Sequence, residues 1–271
     1  MIKASLIISF YNNVDYLKLI AAGLERQSFR DFEIIVADDG SNQESINEVE
    51  KLSLKLPFPL KHVWQEDKRF RKNKILNKAV RAASSDYIIF IDGDCVPHSQ
   101  FIREHFEHKK EGACFTGRRV NLSPKITSLL TETNIKNGYL ENRLLSLVID
   151  GLFGKSYDVE KGFYTSNPII RNLLNMKERG ILGCNFSLHK SDLLKINGFD
   201  ERYECPSVGE DSDIQYRLEL IGIKIKSLKY MAVQYHLYHE RQHHPQENLD
   251  LFAQIKLAAI PFTPFGIIRE K

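Results

Sequence analysis

The chain has 271 residues, enough for one large domain or two closely packed halves around a sizeable core. Apolar residues make up 42% and charged residues 27%, which excludes a disordered chain. The formal charge of +3, from 38 Lys+Arg against 35 Asp+Glu, gives no ground for a nucleic-acid partner, so none is expected.

Residues 4–10 form a short apolar run of β-formers that ends in the turn-like Tyr11-Asn12-Asn13, the pattern of a buried parallel strand. Asp15 is placed to cap a helix in which Leu17, Ile20, Ala21 and Leu24 recur at helical spacing. Phe32 to Ala37 is a second strand, closed by Asp38-Asp39-Gly40-Ser41, and a helix over about 43–54 follows. Pro57 and Pro59 break the chain before a third strand, Leu60 to Trp64. A helix over 73–83 leads to a fourth strand, Tyr87 to Ile91, with Asp92-Gly93-Asp94 at its end.

This alternation predicts an open parallel sheet with helices on both faces, and such sheets bind ligands beyond the carboxyl ends of their strands. Three polar clusters, at Tyr11-Asn12, Asp38-Asp39 and Asp92–Asp94, fall at those ends. Residues 121–180 carry few strand signals, many leucines and basic residues such as Arg143, Lys155 and Arg171, and read as a largely helical insertion. From 181 the pattern tightens through Gly183-Cys184-Asn185, a helix at 191–196, the turn Asn197-Gly198, a helix over about 211–221 and a strand from Lys224 to Leu228. Cys95, Cys114, Cys184 and Cys205 form no CxxC pair and read as thiols of a reducing compartment. The N-terminus runs straight into a strand without a signal-peptide pattern, and no run of about 18 apolar residues is present. The expected location is cytoplasmic, at most at the inner face of a membrane.

Asp92-Gly93-Asp94 sets two carboxylates about a glycine at a strand end, where they can face one hard cation such as Mg²⁺ or Mn²⁺; the plainer alternative is a solvated acidic turn. Of Asp38 and Asp39, one is expected to cap the turn and the other to accept a hydrogen bond from a nucleobase. Gly209-Glu210-Asp211 opens a helix, where acidic residues are favoured by the dipole and where a carboxylate can also act as a base. His236-Leu237-Tyr238-His239 offers two imidazoles whose spacing suits one side of a helical turn, and His243 and His244 follow. HExxH is absent, so a zinc protease is not supported.

The ordered set Ser9-Phe10-Tyr11-Asn12, Asp38-Asp39-Gly40-Ser41, Asp92-Gly93-Asp94, Asn197-Gly198-Phe199-Asp200-Glu201 and Gly209-Glu210-Asp211 resembles family 2 glycosyltransferases of the GT-A fold. Its C-terminal part, from Leu194 to Asp213, is similar to the module of β-1,4-galactosyltransferases and chondroitin or hyaluronan synthases. The resemblance covers roughly 3–119 and 181–240. It implies an α/β fold with a mostly parallel central sheet flanked by helices; the helical insertion is read from the residues and has no clear counterpart in the family. The expected division is a nucleotide-sugar half at 1–120, the insertion at 121–180 as lid, dimer or membrane contact, an acceptor and catalytic-base half at 181–240, and a helical tail at 241–271.

The resemblance also implies roles. Ser9, Tyr11 and Asn12 would line the nucleoside site, Asp39 would bond uracil, Arg71 would lie near the base or diphosphate, and Asn77 would shape that loop. Asp92, beside Gly93, would contact ribose or metal. Asp94 would ligate Mn²⁺ or Mg²⁺, with His236 or His239 as the second protein ligand. Asn185 would face the donor sugar or acceptor. Asp211 would be the base of an inverting transfer and Glu210 would hold the acceptor. The partners would be a UDP-sugar donor and a glycan or lipid-linked glycan acceptor, with a peripheral membrane contact or a homodimer as further expectations.

The sequence departs from its relatives before Glu210, where Tyr203 stands in for the usual aromatic that stacks on the acceptor. A nucleotidyltransferase would show a glycine-rich loop after the first strand, and Ser9-Phe10-Tyr11-Asn12-Asn13 lacks one. A catalytically inactive carbohydrate-binding protein is the remaining rival, against which Asp94, Asp211 and His236 argue.

Overall fold

The computed structural model describes residues 1–174, 180–206, 210–240 and 245–268, the side chains of Asn172 and Glu210 excepted. The chain begins with β1 (Ala4–Phe10), α1 (Val14–Glu25), β2 (Phe32–Asp38), α2 (Gln43–Lys55), β3 (Leu60–Trp64), α3 (Lys72–Ala82) and β4 (Tyr87–Asp92). Then come β5 (Cys95–Pro97), α4 (Phe101–Glu107), β6 (Ala113–Thr116) and β7 (Arg118–Asn121). The following stretch is helical: α5 (Pro124–Ser128), α6 (Glu132–Lys136), α7 (Tyr139–Asn142), α8 (Leu144–Phe153), a 3₁₀ turn (Val159–Gly162) and α9 (Pro168–Leu174). The chain continues with β8 (Asn185–His189), α10 (Lys190–Lys195), α11 (Glu210–Leu220), β9 (Lys224–Ser227), β10 (Val233–His236) and α12 (Gln246–Ala258).

Period-2 alternation sorts the two cores. In β1, Leu6, Ile8 and Phe10 pack with α1 (Leu17, Ile20, Leu24), while Ile7 packs on the other face with Ile75 and Ala79 of α3 and Ile214 and Leu218 of α11. Both faces are covered, so β1, β2 and β4 are buried along almost their whole length and mostly apolar, with the few polar residues, such as Ser5 and Glu33, buried and paired with each other. Asn13, not Asp15, caps α1, accepting the Tyr16 N–H; Asp15 lies one residue inside the first turn.

The main sheet has the order β3-β2-β1-β4-β8-β6-β9. It is mixed: β8 pairs antiparallel with both β4 and β6, and the other pairings are parallel. Because β8 lies between β4 and β6, residues 181–240 complete the sheet that residues 1–120 begin. A second sheet, β5-β10-β7, had no counterpart among the sequence expectations. Its strands are three or four residues long, too short to show a period, and exist only because they pair with one another. The tail is helical only to Ala258. Residues 259–268 fold back onto the Asn197 turn, where Asn197 Nδ2 donates to the Thr263 and Ile268 carbonyls and the Thr263 hydroxyl donates to Asp200.

That turn is braced from below by Arg217, 1% exposed, which is paired with Asp213 and donates to the Ile196 and Gly198 carbonyls. The helical insertion is latched to the body by Glu141 of α7. Its carboxylate accepts two hydrogen bonds from Arg26, at 2.6 and 2.9 Å, and two from Ser99. Burial by itself would raise the Glu141 carboxyl, but the bonds from Arg26 and Ser99 and the nearby His98 hold it below the ordinary value. A depressed folded-state value stabilises the fold above the ordinary carboxyl range and ceases to do so as pH falls through the folded value. Glu141→Gln is therefore expected to cost about 1–3 kcal/mol at pH 7. The gap between variant and parent in urea titrations should close below about pH 4.

Candidate active site

β1 is flanked by β2 on one side and β4 on the other, with α1 and α3 on opposite faces, so the strand order reverses at β1. At such a switch point the carboxyl ends of the strands leave a crevice. Here it is a cleft of about 1160 Å³ whose wall includes Ser9, Asp39, Asp92, Asp94, Asp211 and His236. All three polar clusters read from the sequence contribute to it.

The floor is the β1–β4 junction. Ser9 and Asp92 are register partners, and Ser9 Oγ donates to Asp92 Oδ1 at 2.8 Å. A Cβ on Gly93 would lie 2.6 Å from the Ser9 carbonyl oxygen, so only glycine lets the chain turn here. Lys72, at the start of α3, also reaches Asp92 Oδ1, at 2.8 Å. Asp92 is thereby neutralised and held in place.

Asp94 has different neighbours. Its Oδ2 lies 3.4 Å from His236 Nε2 and 3.2 Å from His239 Nε2, and the two Nε2 atoms are 3.2 Å apart. The small sheet makes this possible: β10 pairs antiparallel with β5, opposing His236 to Cys95, and the Leu237 N–H donates to the Asp94 carbonyl. The two histidines do not sit on a helical turn, as their spacing had suggested; His236 ends a strand and His239 lies in the loop beyond. His239 Nδ1 is 2.8 Å from the Glu240 carbonyl, which places a proton on Nδ1 and leaves Nε2 for a metal. Burial would raise the Asp94 carboxyl, but hydrogen bonds from His236 and His239 hold it well below its ordinary range. The bond to Asp94 in turn raises His239.

Asp94, His236 and His239 offer one ligand atom each, all within 4.8 Å of one another. Two imidazole nitrogens aimed at one carboxylate oxygen form an arrangement that a shared cation satisfies. The nitrogen donors fit Mn²⁺ better than Mg²⁺, which prefers an all-oxygen shell.

Asp38 and Asp39 divide their tasks. Asp38 is fully buried and accepts the Gly40 and Ser41 N–H groups, closing the turn. Asp39 lines the cleft, each oxygen holding one hydrogen bond at 2.6 Å, from Gln65 Nε2 and from the Arg71 N–H. Burial pushes its carboxyl upward. Tyr11, 52% exposed, stands at the rim with its hydroxyl on Asp67. Asp211, in the first turn of α11, accepts the Ser212 N–H on Oδ1 and a long 3.3 Å bond from the Gly183 N–H on Oδ2.

Other expected residues stand elsewhere. Asn77 is fully buried and binds the Phe199 backbone through both its N–H and C=O groups, tying α3 to the Asn197–Glu201 turn. Asn185 is equally buried, bonded to His105, Gly117, Arg118 and Ala232, and is not part of the cleft lining. Asn12 is exposed and bonds Ser41 and Asn42 outside the lining. Arg71 contributes its backbone N–H to Asp39, while its side chain turns to the Glu66 carbonyl. Tyr203 is 1% exposed and cannot stack on an acceptor. The Glu210 side chain, Gly209, His243 and His244 lie outside the described residues.

The cleft also holds residues to which the sequence reading assigned no role. Arg119 of β7 lines it, with Nη1 3.3 Å from Cys184 Sγ, as do Lys155 and Tyr157 of the insertion. Burial opposes the Arg119 charge, but the neighbouring thiols and the carboxylates of Asp92 and Asp94 more than offset it. Lys72 was visible beside Arg71 in the sequence, whereas Arg119 sits in a strand with no periodic signal. Titrating Mn²⁺ by calorimetry should reveal one site that Asp94→Ala and His236→Ala each weaken by at least about tenfold, whereas Asn185→Ala should leave the metal affinity unchanged.

Comparison with known proteins agrees with this geometry. Residues 5–158 match the model of glycosyl transferase family 2, and residues 172–240 match the N-terminal domain of galactosyltransferase. Chondroitin synthase of Escherichia coli is 27% identical over 244 residues, covering 86% of this chain. The chain spans 34% of that relative's length. Among solved structures, Staphylococcus aureus TarS 1-349 in complex with UDP-GlcNAc superposes with a TM-score of 0.60 at 18% identity, over 94% of this chain and 66% of that one. GalNAc-T7 with UDP, GalNAc and Mn²⁺ gives 0.65 at 14% identity, over 94% and 48%. These two likenesses establish the GT-A-like fold. With more than half of its length matched by the family model, the chain belongs to glycosyl transferase family 2.

Proposed function

We propose that the protein is an inverting, Mn²⁺-dependent glycosyltransferase that moves a hexose or N-acetylhexosamine from a UDP-sugar to a glycan or lipid-linked glycan acceptor, in surface polysaccharide or lipopolysaccharide synthesis. The observation that carries this reading is that Asp211 and the Asp94–His236–His239 cluster line one cleft, although Asp94 and Asp211 are 117 residues apart in the sequence. Relatives whose names or structures include UDP, UDP-GlcNAc and Mn²⁺ support the donor and the metal.

In this reading Tyr11 covers the base and Asp39 accepts the uracil N3–H on a lone pair left over from Gln65 and Arg71. Asp94, His236 and His239 hold the metal. When bound, it supplies charge that offsets the diphosphate. Arg119 and Lys72 add fixed positive charge on the same side of the cleft. Asp211 lies in the first turn of α11, and among the described residues its Oδ2 accepts one long hydrogen bond, from the Gly183 N–H. It takes the proton of the acceptor hydroxyl. The acceptor oxygen then bonds to the anomeric carbon from the face opposite the diphosphate, the bond from that carbon to the phosphate oxygen breaks, and UDP departs with the electron pair. One displacement inverts the anomeric centre.

Asp211→Asn removes the base but keeps the shape and the Gly183 contact. Transfer measured as UDP release should fall about 10²- to 10⁴-fold in kcat with little change in the donor KM. Transfer that survives this substitution unchanged overturns the assignment. A panel of UDP-sugars screened by thermal shift with Mn²⁺ identifies the donor, since the ligand bound tightest raises Tm most.

A further inference from the structure

Helix α8 is apolar on two sides. Leu147, 1% exposed, faces inward, and a Cβ on Gly151 would lie 3.0 Å from Val159 of the 3₁₀ turn. The opposite side carries Leu145 (73% exposed), Val148 (39%), Ile149 (52%), Leu152 (72%) and Phe153 (88%). These positions recur at i, i+3, i+4, i+7 and i+8, one continuous stripe along the helix. An exposed apolar stripe of this length calls for a partner.

We propose that this stripe docks the protein on an anionic lipid surface, with α8 lying in the plane of the headgroups. Charge is the first argument. Arg143 precedes the helix and Lys155 follows it, one cation at each end. The single carboxylate within the helix, Asp150, is turned aside onto the Ser156 hydroxyl at 2.5 Å. Apolar residues bordered by cations fit the boundary between acyl chains and anionic headgroups. Area is the second argument. The stripe exposes on the order of 600 Å², less than the roughly 800 Å² per partner that a stable dimer buries. Place is the third. Lys155 and Tyr157, two and four residues beyond Phe153, line the active cleft, so a bilayer under α8 lies at its rim. The lipid docking stands on the helix alone; only its consequence, presentation of a lipid-linked acceptor to Asp211, rests on the function proposed above.

The test is co-sedimentation of the full chain with vesicles of phosphatidylcholine, with and without phosphatidylglycerol, alongside UDP release in solution. Binding is expected to need the anionic lipid and to weaken at high salt. The double variant Leu145→Ser, Leu152→Ser should lose at least about tenfold in vesicle affinity, and Arg143→Gln a smaller part of it, with UDP release unchanged in both. Pelleting unaffected by the double variant overturns the proposal. So does an absence of lipid binding together with a concentration-dependent dimer that the double variant abolishes, which would assign the stripe to a second copy. Loss of UDP release in the parent protein, with lipid binding intact, would instead count against the catalytic reading alone.

Discussion

A side chain at Gly93 would collide with the Ser9 carbonyl, and the rest of the site depends on that space staying empty. Because β4 can turn directly against the end of β1, Asp92 stays in register with Ser9 while Asp94, two residues on, reaches the far side of the cleft. Two carboxylates of one short motif thus meet different surroundings. Asp92 is bound to a hydroxyl and an ammonium and is held rigid. Asp94 is met by two imidazoles, donors that a cation can replace. Their distinct chemistry arises from one turn.

The same economy of backbone sets the other wall. Cys95 to Pro97 is a three-residue strand with little stability of its own, yet its pairing with β10 carries His236 across 142 positions of sequence to Asp94. β10 also pairs with β7, so Arg119 enters the same space. His236 and Arg119 therefore share one small sheet, and a distortion of that sheet would disturb both.

Several polar residues within the recognised motifs act as posts rather than as ligands. Asn77, Asn185 and Asn197 are each fully buried, and each spends its amide on backbone groups of another segment. Buried backbone groups left unpaired are costly, and an amide with both donor and acceptor capacity can satisfy two at once. Their identity is thus as strictly required as that of a ligand. The Asn197-Gly198-Phe199-Asp200 turn is the clearest case: it is gripped by Asn77 from α3, by Arg217 from α11 and by the returning tail. It fixes α11, and so Asp211, without touching the cleft.

The sequence by itself determined the alternating strands and helices of the first 92 residues, the clustering of Tyr11, Asp39 and Asp92 at strand ends, and the helical character of 121–174, because these depend on local period, turn chemistry and capping. It could not separate residues that bind from residues that brace: a buried asparagine and a ligand-facing one look alike in one dimension, as Asn185 and Asn77 show, and Tyr203 looked like a stacking surface until its burial was seen. Only the tertiary structure decided that both histidines meet Asp94, that Lys72 and Arg119 stand among the cations of the cleft, and that β8 runs against its neighbours. Lys72 apart, which opens α3, those outcomes rest on strands of three to five residues whose partners lie far along the chain. Such strands gain their stability from pairing and not from their own residues, so no local pattern records them.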